Sequence, residues 1–143
     1  MRHRKLNTRE TGILLRKIPF NKLLGMRLSR VHSDGITIEC KVDPRLVNLL
    51  GVLHGGVSAA LADAAVGISI HRHFGGLHSI ATVEMKINYF RPVAKGRVFA
   101  RSRLLRVGST LCVGRVDIVD ERRRAVGTAL VTYMLLGARE NAG

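Results

Sequence analysis

The spacing of apolar residues changes several times along this chain, and the changes mark its elements. Over residues 8–18 the apolar positions are Ile13, Leu14 and Ile18 among charges, the stripe of a short amphipathic helix that Thr8 is placed to cap. From Met26 the pattern turns to alternation, Met26, Leu28 and His32, then Ile36, Ile38, Cys40 and Val42. Ser33-Asp34-Gly35 lies between as a hairpin turn. Asp43-Pro44 ends the second strand, and a loop continues through Asn48 to His54.

From Gly55 to about Arg72 the segment has no proline, many alanines and apolar residues on nearly every face, which is how a helix surrounded by protein reads. Beyond Gly75-Gly76 the pattern predicts four more strands, over 79–90, 97–107, 110–119 and 125–136. One helix cannot cover both faces of a six-stranded sheet. An antiparallel sheet wrapped around it can bury the helix completely and leave the sheet's outer face to water or a partner. The expected fold is therefore α+β in the order β-β-α-β-β-β-β with a short N-terminal helix. At 143 residues it makes one domain over 20–137, preceded by a basic arm or helix at 1–19 and followed by a tail at 138–143.

Charge alters this picture. Lys and Arg number 24 against 10 Asp and Glu, a formal charge of +14, so the surface field attracts polyanions: nucleic acid, anionic membrane or a phosphorylated small molecule. With six aromatic residues, no recognition motif and basic residues spread along the chain, nucleic acid is not the expected partner. No apolar run approaches the roughly 20 residues of a membrane span, because 57–70 is shorter and carries Asp63. The opening MRHRKLNTRETGILLRK lacks the apolar core of a secretory signal. Cys40 and Cys112 form no CxxC, which suggests two buried thiols in a reducing, cytoplasmic setting and neither a disulfide nor a zinc site. His71, His73 and His78 straddle a helix end and a glycine turn with no Cys or carboxylate beside them, so no metal is expected; nor is there a GxSxG for a serine hydrolase.

Candidate chemistry concentrates in NLLGVLHGGVSAALADAAVG, residues 48–67. His54-Gly55-Gly56 lies at the start of the predicted helix, where the first N–H groups have no intrahelical partner and the dipole is positive. The Gly55 N–H could polarise a carbonyl there and hold the oxyanion formed on attack; the glycines could equally serve a tight loop-to-helix turn. Asp63 is a poor helix former among apolar neighbours, and such a carboxylate reaches solvent, is paired or has a chemical role. It follows Gly55 by eight residues, about 12 Å along one helix. Reacting atoms must come within roughly 3 to 3.5 Å, so the two can serve one carbonyl only if two copies pack their helices antiparallel, Asp63 of one facing Gly55 of the other.

The pattern Asn48-x5-His54-Gly55-Gly56-x6-Asp63, followed by the strand Thr82-Val83-Glu84-Met85-Lys86-Ile87-Asn88-Tyr89-Phe90-Arg91-Pro92, resembles the PaaI-like branch of the hotdog-fold acyl-CoA thioesterases. The likeness runs from about Phe20 to Leu136. It implies a sheet wrapped round a central helix, homodimers joined edge to edge through their sheets, and homotetramers made by pairing dimers. It further implies hydrolysis of an acyl- or aryl-CoA to the free acid and CoA without a cofactor. Gly55 would polarise the thioester, and Asp63 of the neighbouring subunit would act as general base or as nucleophile. Asn48 and His54 would orient the thioester or the water, Thr82 would help place the nucleophile, and Gly56 would touch the substrate. Arg91, Arg106 and the Gly108-Ser109 turn match the region that holds the nucleotide phosphates. The chain departs from such relatives in its basicity, its alanine-rich helix and a Lys86 that interrupts a strand. Within the same fold the alternatives are a dehydratase or hydratase, which would need a different helix signature, and an acyl-CoA binding protein without turnover.

Overall fold

The computed structural model describes residues 3–138. Helix α1 (Thr8–Lys17) is followed by a short α2 (Pro19–Leu23), strands β1 (Arg27–Val31) and β2 (Ile36–Lys41), and a 3-10 turn at Pro44–Leu46. The long helix α3 (Gly55–His73) comes next, then β3 (His78–Tyr89), β4 (Arg97–Val107), β5 (Leu111–Asp120) and β6 (Ala125–Ala138). The expected order and α+β class hold, and boundaries shift by a residue or two. Beyond Ala138 the tail expected at 138–143 lies outside the described residues. Among the described residues no helix is long and apolar enough to cross a membrane.

The cap of α1 differs from the expectation: Asn7, not Thr8, caps it. Asn7 Oδ1 accepts from the Glu10 amide at 2.9 Å while Glu10 Oε2 accepts from the Asn7 amide at 2.8 Å. Glu10 stands three residues after Asn7, the spacing this reciprocal pair requires, and Thr8 has no such partner.

All six strands form one antiparallel sheet in the order β1-β2-β4-β5-β6-β3, so β1 and β3 are its edges. Its inner face curls around α3. Val57, Leu61, Ala62, Ala65, Val66 and Ile68 of the helix are buried with Ile36, Ile38, Val98, Ala100, Val116, Ile118 and Val131 of the sheet. Small residues set how close helix and sheet come: a Cβ at Gly114 would lie 2.7 Å from Val66 Cγ2. The two buried serines of this interface are partnered. Ser69 Oγ donates to the Ala65 carbonyl and lies 2.7 Å from Ser102 Oγ, which accepts from the Ile36 amide. The helix is not buried all round, however. Ala60, Asp63 and Ala64 form a half-exposed stripe, because β3 is the last strand and nothing pairs beyond it.

The edge strand carries one irregularity that matters. Thr82 pairs with Tyr133 but Glu84 pairs with Thr132, so Val83 is an extra, unpartnered residue. A strand's side chains alternate between faces, and one inserted residue reverses the alternation beyond it. Thr82 can therefore face α3 on one side of the bulge, while Met85 and Ile87 pack on the core beyond it. Were the strand regular through Val83, with no bulge, the inward positions after Thr82 would be Glu84 and Lys86. With the bulge, Lys86 is exposed on the outer face, which accounts for a charge in an otherwise core-forming strand.

Helix-sheet spacing is the sensitive point of this core. Gly114→Ala is expected to lower the free energy of unfolding in urea by about 1–3 kcal/mol through overpacking against Val66; an unchanged denaturation midpoint would show that the helix can shift away freely.

Candidate active site

The amino end of α3 has four claimants for its first amides, and three are accounted for. His54 is the N-cap, extended at φ −60° and ψ 133°, and its Nδ1 accepts from the Gly56 amide at 2.8 Å. The Val57 amide donates to the His54 carbonyl at 2.9 Å, and Ser58 reaches the same carbonyl by the helix's own spacing. The Gly55 N–H is left without a partner among the described residues, pointing outward at the positive end of the dipole. Gly56 has a local role: a Cβ there would lie 2.9 Å from His54 Nδ1, and its amide hydrogen is already taken. With Nδ1 accepting, neutral His54 carries its proton on Nε2, on an exposed ring that can donate.

Tyr89, which the sequence reading passed over, fixes Gly55 from above. Its hydroxyl donates to the Gly55 carbonyl at 2.8 Å, and its ring would lie 3.3 Å from a Cβ at that position. Asn48 closes the loop before the helix: Oδ1 accepts from the Leu50 amide at 2.9 Å, leaving its NH2 group to donate. Asn48, Gly55, Ser58, Tyr89 and Arg91 line an open depression of about 340 Å³.

Two turns along the helix a second constellation surrounds Asp63. Thr82 Oγ1 donates to Asp63 Oδ1 at 2.8 Å, and Tyr133 Oη lies 2.8 Å from that oxygen and 2.9 Å from the Asp63 carbonyl. Burial and the adjacent carboxylate push the Tyr133 phenol's pKa well above its ordinary value, so it stays a proton donor. A second depression of about 300 Å³ holds this group among Ile18, Phe20, Ile68 and Ile80. Tyr133 too was missed, although a signal existed: alternation through Val131, Tyr133 and Leu135 aims it inward, and a buried phenol needs a partner.

Within one chain the two constellations do not meet. Thr82, Tyr133, Cys112 and Val107 form one row across four strands, whereas Tyr89 lies at the Gly127 and Ile118 level toward the sheet's other end. Arg91 follows Tyr89 and lines the Gly55 depression. Arg106 and Ser109 belong to the β4–β5 end, near the Asp63 row. The β6 partners of Thr82 and Tyr89, Tyr133 and Gly127, are six positions apart, about 20 Å at strand rise. One chain therefore places Gly55, Asn48, His54 and Arg91 toward one end, and Asp63, Thr82, Arg106 and Ser109 toward the other.

Comparison with known proteins gives this arrangement a context. The family model described as the thioesterase superfamily matches residues 50–126, a span holding both Gly55 and Asp63. The chain is 32% identical to the medium/long-chain acyl-CoA thioesterase YigI of Escherichia coli strain K12, over 82% of this chain and 86% of that protein. Among solved structures it is similar to the thioesterase HI1161 from Haemophilus influenzae, with a TM-score of 0.88, 26% identity and full coverage of both chains.

Proline removes the Gly55 N–H, with its Cβ 3.3 Å from the Tyr89 ring, which must give by a few tenths of an ångström. Proline is accepted at the first helical position, and His54 already has the extended backbone that a following proline demands. Gly55→Pro should keep the helix content seen by circular dichroism and lower turnover of acyl thioesters about 10²- to 10³-fold. Wild-type turnover in a folded variant would remove this amide from the site.

Proposed function

The chain belongs to the thioesterase superfamily, and we propose that it is an acyl-CoA thioesterase whose active site is built from Gly55 of one subunit and Asp63 of another. The observation that carries the reading is the pairing of an unpartnered helix-start amide with a hydroxyl-held carboxylate on the same helix, in separate depressions. An amide at a helix start polarises a carbonyl and stabilises the oxyanion that attack creates. The carboxylate supplies the attack. As general base it takes a proton from water while the hydroxide adds to the carbonyl carbon; as nucleophile it forms an anhydride that water then opens. In both routes the C–S bond breaks, CoA leaves as its thiol and the free acid remains.

A homodimer supplies the second half of the site. Strand β3 is a twelve-residue edge with Val83 and Tyr89 exposed, and an open edge of that length is a template for pairing with another strand. Antiparallel pairing of two β3 strands sets two α3 helices antiparallel, which is what the 12 Å offset requires. The exposed Leu130, Met134 and Leu136 on β6 favour a further pairing of dimers into a tetramer. In this arrangement Arg91 comes from the subunit that provides Gly55, and Arg106 and Ser109 from the one that provides Asp63. All three can then face the phosphates of one CoA. Asn48 and His54 donate to the thioester or water beside Gly55, and Thr82 holds Asp63.

The apolar lining by Ile18, Phe20, Ile68 and Ile80 suits an acyl chain of the medium to long class in the relative's name. Residues 20–137 make the catalytic domain, and the segment through Ile18 forms one wall of the acyl cavity. The two free, buried thiols fit a reducing compartment, and the cytoplasm is the proposed location.

A panel of acyl-CoA esters with a thiol-trapping dye tests the activity. Release of CoA from at least one ester is expected, with a loss of at least about 100-fold in Asp63→Asn. If no ester is cleaved faster by the wild type than by Asp63→Asn, the protein is not the hydrolase proposed.

A further inference from the structure

Among the described residues, Tyr133 is the one buried titratable side chain hydrogen-bonded to the proposed nucleophile or base, from the inner face of the sheet. Its position is over-determined. Thr82 and Tyr133 are cross-strand partners on β3 and β6, so their side chains leave the sheet side by side toward α3. On the helix, Gly67 stands four residues after Asp63, and a Cβ there would fall 2.7 Å from the phenol oxygen. Glycine at 67 is thus what lets the hydroxyl pass under the helix to Asp63. A phenol has one hydrogen, and of the two acceptors in reach the carboxylate oxygen is favoured over the peptide carbonyl because it is charged.

Both hydroxyl donors converge on the same atom, Asp63 Oδ1. Among the described residues no hydrogen bond reaches Oδ2. We propose that Tyr133 is a positioning residue that, together with Thr82, pins Oδ1 and so presents Oδ2 as the oxygen that receives the water proton or attacks the thioester carbonyl. This rests on the reading of Asp63 as the reactive carboxylate. The hydroxyls fix the carboxylate's rotation about its Cβ–Cγ bond, and a freely turning carboxylate would offer each oxygen at a range of angles outside the productive one. Tyr133 lines the same depression as Asp63, and its hydroxyl, spent on the carboxylate, acts through Asp63.

Tyr133→Phe keeps the ring and its packing and removes only the donor. On the ester that the wild type cleaves best, kcat is expected to fall about tenfold with KM within twofold of wild type. The decisive comparison is a double-mutant cycle: in an Asp63→Asn background, Tyr133→Phe should cause no further loss, because its effect passes through the carboxylate. Wild-type kcat in folded Tyr133→Phe overturns the proposal, and so does a tenfold loss that persists in the Asp63→Asn background. Failure of the underlying reading looks different, since Asp63→Asn would then hydrolyse as the wild type does.

Discussion

Eight residues of helix separate Gly55 from Asp63, and a rise of 1.5 Å per residue makes that about 12 Å, a gap no rotamer closes. The rest of the molecule is arranged around this fixed interval. The sheet holds α3 through small contacts, with Gly114 against Val66 and Ser102 against Ser69, so the helix cannot slide or tilt without displacing packed atoms. Each end then has its own clamp. Tyr89 holds the Gly55 carbonyl, and Thr82 with Tyr133 holds the Asp63 carboxylate. A rigid spacer with two prepared ends is useful to a second copy running the other way.

Much of this was legible in the chain itself. Changes of apolar period located the strands, and a carboxylate in an alanine-rich helix drew attention to Asp63. The features that escaped share a cause: they depend on residues distant in sequence or on a single inserted residue. Tyr133 reaches Asp63 from 70 positions away, so nothing local to either announces the contact. The Val83 bulge lies between two stretches that each alternate correctly, and only their opposite phase reveals it. At α1 the local signals were present, but the reciprocal demand of Glu10 selected Asn7 over its neighbour.

The positive charge also reads more clearly with the fold in hand. Arg4, Arg45, Arg97, Arg101, Arg103, Arg115 and Arg124 each meet a carboxylate, pairs at or near the surface that contribute little to stability. They consume most of the acidic side chains and leave a positive field that attracts polyanions. Asp63 stands outside these pairs. It accepts from two neutral hydroxyls and, among the described residues, from no cation, so a carboxylate remains available for chemistry in a strongly basic protein.

Subunit complementation tests the composite site most directly. Gly55→Pro lacks the amide and Asp63→Asn lacks the carboxylate, so each homodimer should be inactive. Unfolding the two together in equal amounts and refolding makes half of the dimers mixed, and each mixed dimer contains one site with both groups intact. Recovery of about a quarter of wild-type activity from two inactive parents is expected. No recovery in a mixture shown to contain mixed dimers would mean that amide and carboxylate do not act across the subunit boundary.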